Sequence, residues 1–427
     1  MTDRLLWVWL SLACGAGSRV YNKLFTSFST LREIYDAPYE RFIGIDGIDV
    51  SAARSLADKD TDTAEAIMAV CAKNGWGVLT YGDRIYPKRL KMLPDPPVVL
   101  YVRGNLLDLN ESVPIAVVGT RRMTEYGERL AYRLSYAMAV GGAVIVSGMA
   151  LGCDAMAANG ALDAGAPTVA VLGCGLDITY PKQHKTLEDH IARGGMIITE
   201  YPPGSPPEGA HFPVRNRIIS GLSQGTLVVE APLRSGALIT ARTSIAQGRD
   251  IFAVPGEVGR ENSAGCNELI KDGAKTVTSA ADILGVYEFI YPHSINVEAA
   301  IKAELSLGSG SGHESASMRM IASRPGIGER RAEKRAKKQT RRKLQDPPSA
   351  EEESFSFEEQ RREFRAEKAP LSDGERAVYE AMGDGEVTPD ELTSRGFSAS
   401  DIMSSLTMLE LFGYVTAVPG GRYRREK

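Results

Sequence analysis

Gly119, Thr120, Arg121 and Arg122 lie between an apolar run, "VPIAVV", and a stretch with helical periodicity, "EYGERLAYRLSYAMAVGG". Two arginines at the positive end of a helix dipole are unfavourable unless an anion binds there. Comparable residues follow other apolar runs. Ser147 and Gly148 close "GAVIVSG", and Lys182 and Lys185 stand in "GCGLDITYPKQHK". Arg215, Asn216 and Arg217 open a helix after "PPGSPPEGAHFP", and Arg234, Ser235 and Gly236 follow "GTLVVEA". Glycines allow close backbone approach, helix N-termini and a hydroxyl supply donors, and the long cations supply charge. Such a set suits phosphates in series. One small phosphate would leave most of these loops unused, whereas an extended nucleic-acid backbone would engage them all.

Each residue also has a plainer reading. Gly119 and Gly148 suit tight strand-to-helix turns, and Arg215 to Arg217 suit a surface helix start paired with Glu208. His184 and His211 read as surface residues without metal-like spacing. Glu200 and Glu230 end apolar runs, where capping or hydrogen bonding outweighs catalysis. Convergence on one face is what favours the phosphate reading. Two enzyme classes compete with it. A dinucleotide-dependent dehydrogenase requires GxGxxG after the first strand and an acid closing the second; the GTRR turn and Ser147–Gly148 exclude it. A nucleotide phosphoribohydrolase on a related Rossmann-like sheet requires a Gly-rich loop and a catalytic glutamate. "VVEAPLRSGALITA", with Glu230, matches it faintly but lacks the Pro-Gly-Gly turn. It stands as the alternative to a non-enzymatic binder. No Ser-His-Asp, Cys-His or paired-carboxylate arrangement stands out. Cys14, Cys71, Cys153, Cys174 and Cys266 show no CxxC spacing and read as reduced thiols, so no metal or cofactor is expected.

The elements that must position these residues follow from hydrophobic pattern. From Val113 to about Glu288, short continuously apolar runs alternate with helical stretches. Strands buried on both faces lose polar alternation, and regular alternation with helices implies parallel crossovers. The fold class is therefore α/β, a Rossmann-like, doubly wound, mostly parallel sheet whose ligand belongs at the carboxyl ends of the strands.

The chain has 427 residues, 43% of them hydrophobic, and a formal net charge of −4. That balance excludes a globally basic nucleic-acid coat protein, so any polyanion site must be a local patch. Residues 1–75 read as a small helical domain and 76–290 as the extended Rossmann-like domain. Residues 291–370, with the basic "ERRAEKRAKKQTRRK" and the acidic "AEEESFSFEEQ", read as a disordered charged linker. Residues 371–427 read as a winged helix: three capped amphipathic helices and a hairpin, "VTAVPGGRYRR". Its presumed recognition helix, "SASDIMSSLTMLELFGY", carries Asp401 and Glu410 and no Lys or Arg. Only the wing, with Arg422, Arg424 and Arg425, is basic. That favours protein interaction or weak duplex binding over major-groove readout. "RLLWVWLSLACG" reads as a first helix rather than a signal peptide. With no membrane-length apolar stretch, a cytoplasmic protein is expected.

Seven segments, in order, closely resemble the DNA-processing protein A (DprA/Smf) family: "VVGTRR", "IVSGMALGCDAMAANGAL", "VAVLGCGLDITYPKQHK", "FPVRNRIISGLS", "SGALITA", "IFAVPGEV" and "GCNELIKDGAK". The likeness spans about residues 79–288. It implies binding of single-stranded DNA, a homodimer formed through the Rossmann-like domain, loading of the RecA recombinase in natural transformation, and no catalytic activity. It further implies that Gly119, Thr120 and Arg121 hold backbone phosphate and that Lys185 makes a second principal phosphate contact. Arg215, Asn216 and Arg217 would match an FPxRNR segment, and Leu269 and Ile270 would lie at the dimer contact. The charged linker lies outside that family's pattern.

Overall fold

The computed structural model describes residues 2–308 and, further on, 371, 373–383, 385–398, 402, 405, 406, 409, 414–418 and 422–425. Met1–Pro325 and Gly326–Lys427 are separate units, each described by itself.

The first unit is built on nine strands: β1 (Gly77–Thr80), β2 (Val99–Gly104), β3 (Val113–Val118), β4 (Ala143–Ser147), β5 (Thr168–Leu172), β6 (Met196–Thr199), β7 (Gly225–Val228), β8 (Asp250–Ala253) and β9 (Lys275–Thr276). They lie in the order β1-β2-β6-β5-β4-β3-β7-β8-β9. From β6 to β9 across the sheet all neighbours are parallel; β2 pairs antiparallel with β6, and β1 with β2. The order reverses direction between β3 and β7, which is where such a sheet opens a crevice at its carboxyl edge. Every residue of β3, β4, β5, β6 and β7 is buried. Alternate residues feed two core layers. Ile115, Val117, Ile145 and Leu227 pack with helices Glu125–Val140 and Cys153–Asp163, while Ala116, Val118, Val146 and Val171 pack with His211–Leu222, Gly236–Ala246 and Glu261–Lys271.

Six short helices between Asp3 and Asn74 precede the sheet. Their core residues, among them Val8, Leu10, Phe42 and Leu56, belong to one cluster with Val99 and Tyr101 of β2 and with Leu187 and Ile191 of helix Lys185–Gly194. The N-terminal helices are therefore continuous with the sheet's packing.

The expectation of disorder from 291 is corrected. Val297–Gly308 is a helix, and Ile295 and Ala300 are buried in the layer above helix Glu125–Val140. Arg133 pairs with Glu304 at 3.1 Å, and Ala280 donates its backbone N–H to the same carboxylate. "SINVEAAIKAEL" carries an apolar stripe at helical spacing that the polarity of its surroundings hides. The basic and acidic blocks lie outside the described residues.

The second unit holds helices Asp373–Met382 and Pro389–Ser394 and a three-stranded antiparallel sheet, β10 (Glu386–Val387), β12 (Arg422–Arg425) and β11 (Val415–Val418) in that order. Thr388 and Glu391 form a reciprocal capping box at the second helix. Val378, Leu392, Ile402, Leu406 and Val415 share one small core, a winged-helix composition. Strand β10 had no recognisable sequence signal, being two residues long. Most of the presumed recognition helix, Asp401 and Glu410 included, lies outside the described residues.

Candidate nucleic-acid interface

A concave site opens at the carboxyl edge where the loops after β3, β4 and β5 meet the start of helix His211–Leu222. Its walls include Arg121, Gly148, Leu151, Tyr180, Phe212 and Arg215. Its closed volume is about 40 Å³, room for a water or two. At its mouth the Arg121 guanidinium stands 5.8 Å from the centre of the Phe212 ring, and the Tyr180 ring lies 5.4 Å from Phe212. Arg121, Arg122, Lys182 and Lys185 are all exposed.

The loops are held by their own polar groups. Gly148 N–H donates to Asp154 at 2.9 Å, and its carbonyl accepts from Arg215 Nη1 at 2.8 Å. A Cβ at Gly148 would collide with that guanidinium, and one at Gly119 with Cys153 Sγ; close packing, beyond turn geometry, demands glycine at both. Met149, the one non-glycine with positive φ (54°) among the described residues, has its carbonyl tied by His184 Nδ1 at 2.9 Å. His211 Nδ1 lies 3.1 Å from the Gly173 carbonyl, and its ring stacks on Tyr201 at 4.0 Å. Because carbonyls only accept, both Nδ1 atoms carry a proton. The two histidines are thus half-buried clasps between strand-end loops rather than surface residues.

Two arginines expected at the lip are elsewhere. Arg215 is 4% exposed and donates to the carbonyls of Gly148 and Val171, and its Nε to Asn216. Burial lowers its pKa, opposed by Asp154, and a guanidinium stays charged throughout. It is the floor of the site, with Asn216 half-buried beside it. Arg217, two residues on, points to the opposite side of the helix. It pairs with Glu200 at 2.5 Å and donates to the Asp95 carbonyl at 2.6 Å. Burial alone would lower its pKa, but Glu200 and Asp95 outweigh that and hold it above the usual value. Glu200 also accepts from the N–H of Gly17, so this network ties the N-terminal helices to the helix carrying Phe212. As a phosphate contact Arg217 is corrected: 6% exposed, it is committed internally. Ser147 is buried and donates to the Asp154 carbonyl at 3.4 Å.

The anion at the start of helix Glu125–Val140 is internal. Glu230 accepts from Thr124 N–H at 2.8 Å and from its hydroxyl at 2.5 Å, while Thr124 caps Gly127 N–H. Thr120 N–H donates to the Glu230 carbonyl at 2.7 Å. Both carboxylate oxygens of Glu230 are engaged in this cap. It forms the wall of a second, wider cleft of about 740 Å³ with Glu125, Glu257, Arg260 and Asn262.

The structure thus brings Gly119, Thr120, Arg121, Ser147, Gly148, Lys182, Lys185, Arg215 and Asn216 to one edge and leaves Arg217 apart. Sequence reasoning missed Tyr180 and Phe212, although both stand within quoted motifs beside the cations. Of the two residues expected at a dimer contact, Leu269 is 7% exposed and belongs to a core cluster with Leu238 and Cys266, and Ile270 is half-buried. Among the described residues no His, Cys, Asp or Glu cluster is placed to hold a metal, and no helix is long and apolar enough to cross a membrane.

Comparison with known proteins accords with this geometry. Residues 77–288 match the model of the DNA recombination-mediator protein A family, and 362–421 the DprA winged helix domain. The DNA processing protein DprA of Streptococcus pneumoniae is 44% identical over 207 residues, 48% of this chain and 73% of that protein. That of Bacillus subtilis is 36% identical over 247 residues, 58% of this chain and 83% of that protein. The X-ray structure of the S. pneumoniae protein aligns with a TM-score of 0.59 at 34% identity, covering 67% of this chain and 98% of that one. With a crevice of this make-up on such a sheet, and relatives matched over most of their length, the chain belongs to the DNA recombination-mediator protein A (DprA/Smf) family.

Proposed function

We propose that this protein binds single-stranded DNA by its backbone along the carboxyl edge of the sheet, without base-sequence readout, and that it delivers the strand to the RecA recombinase during natural transformation. One observation carries the reading: Arg121, from the turn after β3, meets Phe212, from the helix after β6, at the mouth of the concave site. Exposed Arg121, Arg122, Lys182 and Lys185 supply charge for phosphates, and Phe212 with Tyr180 supplies a stacking surface that tolerates any base. Gly119, Thr120, Ser147, Gly148, Arg215 and Asn216 shape the edge. Delivery to RecA and action in the cytoplasm as a homodimer come from the family likeness, with Leu269 and half-buried Ile270 as the dimer contact. The enzyme alternative is disfavoured by Glu230, whose two oxygens both cap Thr124.

The test is binding of unrelated oligonucleotides to Arg121→Ala and Lys185→Ala across salt. Each variant should weaken all sequences alike and reduce the salt slope by about one. Unchanged binding in both would refute the site. Ile270→Glu should lower the mass seen by light scattering; an unaltered mass would reject that dimer contact.

A further inference from the structure

Lys185 is not free. Its Nζ lies 2.9 Å from Asp189 Oδ1, one helical turn on, and the same oxygen accepts from Arg103 Nη2 at 2.6 Å. Arg103 also pairs, through Nη1, with Glu188, whose side chain is 2% exposed. Two cations and two carboxylates thus form a neutral quartet at the start of helix Lys185–Gly194. Because Arg103 is divided between two carboxylates, the balance of charge on Asp189 is supplied by Lys185. Arg121, Arg122 and Lys182 form no ion pair among the described residues, so the edge carries three cations without a carboxylate partner and one that its own chain has already paired.

We propose that Asp189 is an internal competitor for the phosphate edge: it holds Lys185 until a run of phosphates displaces it, so the edge accepts an extended strand and discriminates against isolated phosphates. The inference rests on the phosphate reading above. Its physics is an exchange. A lone phosphate that takes Lys185 gains one exposed ion pair and forfeits another, for little net return. A strand already anchored at Arg121 and Lys182 presents its next phosphate at high effective concentration and tips that exchange. Arg103 stays on Asp189 throughout, so displacement strands no carboxylate and remains reversible. Once released, Asp189 gathers a cation from solution, which subtracts from the counterions that the DNA sets free. Asp189 acts through Lys185 and is a positioning residue; it touches no phosphate itself.

The experiment measures binding of the full chain to oligothymidines of about 5 and about 20 nucleotides, at about 50 and 200 mM salt. Four proteins are compared: the native chain, Asp189→Asn, Lys185→Ala and the double variant. Asparagine still accepts from Arg103, and a thermal melt checks that the fold is kept. Asp189→Asn should tighten the short strand by about twofold, tighten the long one less, and steepen the salt dependence. All three changes should vanish when Lys185 is alanine. A helix staple alone would move the melt and none of these. Equal or weaker short-strand binding by Asp189→Asn, or a gain that persists without Lys185, overturns the proposal. Should Lys185→Ala bind both strands as the native chain does, Lys185 makes no phosphate contact and this proposal falls; the phosphate reading beneath it fails only if Arg121→Ala also binds unchanged, which is a separate outcome.

Discussion

The turn at 119–124 borders two concavities of opposite character. On one side Arg121 faces Tyr180 and Phe212 over a floor of Arg215 and backbone. On the other, Thr124 opens a cleft walled by Glu125, Glu230 and Glu257. Both lie at the carboxyl edge of one sheet, and the second holds a helix N-terminus of the sort that ordinarily attracts anions. Glu230 already occupies that terminus. The difference teaches that a helix N-terminus can have its anion supplied from within the fold. The first concavity presents the exposed Arg121, whereas the second is lined mainly by carboxylates, with Arg260 paired to Glu257.

Replacing the floor should have the largest effect. Arg215→Ala leaves the carbonyls of Gly148 and Val171 without their donor and removes the cation near buried Asp154, at a cost of about 2–4 kcal/mol in denaturant unfolding. If stability held while DNA binding disappeared, Arg215 would be a contact after all, and the division between floor and lip would break. Phe212→Ala comes next. It should weaken single-stranded DNA by about 1–3 kcal/mol, with the salt slope preserved, since a stacking surface rather than a charge is lost. A changed slope would mean that Phe212 serves only to place Arg121.

Glu230→Gln sharpens the comparison from the other side. The amide oxygen can still take one of the two Thr124 bonds, so melting should report a loss of about 1 kcal/mol. Affinity for DNA should stay within about twofold, because the acidic cleft takes no part. Base release from a nucleoside monophosphate, lost in this variant, would instead make the second concavity catalytic.

Much of this arrangement was legible in the chain. Runs such as "VPIAVV" and "AVIVS" can only be strands buried on both faces, and their alternation with helices dictates the crevice's edge. The exposed cations at 121, 122, 182 and 185 were legible for the same reason. Arg215 and Arg217 were not, because a helix turns about 200° over two residues and their partners, Val171 and Glu200, are set by the fold. The burial of Leu269 was legible: Cys266 and Leu269 are spaced three apart on a helix, the spacing of a buried stripe. Phe212 and Tyr180 went unread because aromatic residues at a helix start or in a loop are more often packing than stacking surface. Only the convergence of two distant segments distinguishes the cases.

Helix Val297–Gly308 has a practical consequence for anyone dissecting the chain. A fragment ending at 290 would strip away Ile295 and Ala300, the residues that cover Gly141 and Leu284, and would expose a greasy seam prone to clumping. A stop codon after 308 keeps that seam sealed, and is the better place to begin separating the two halves.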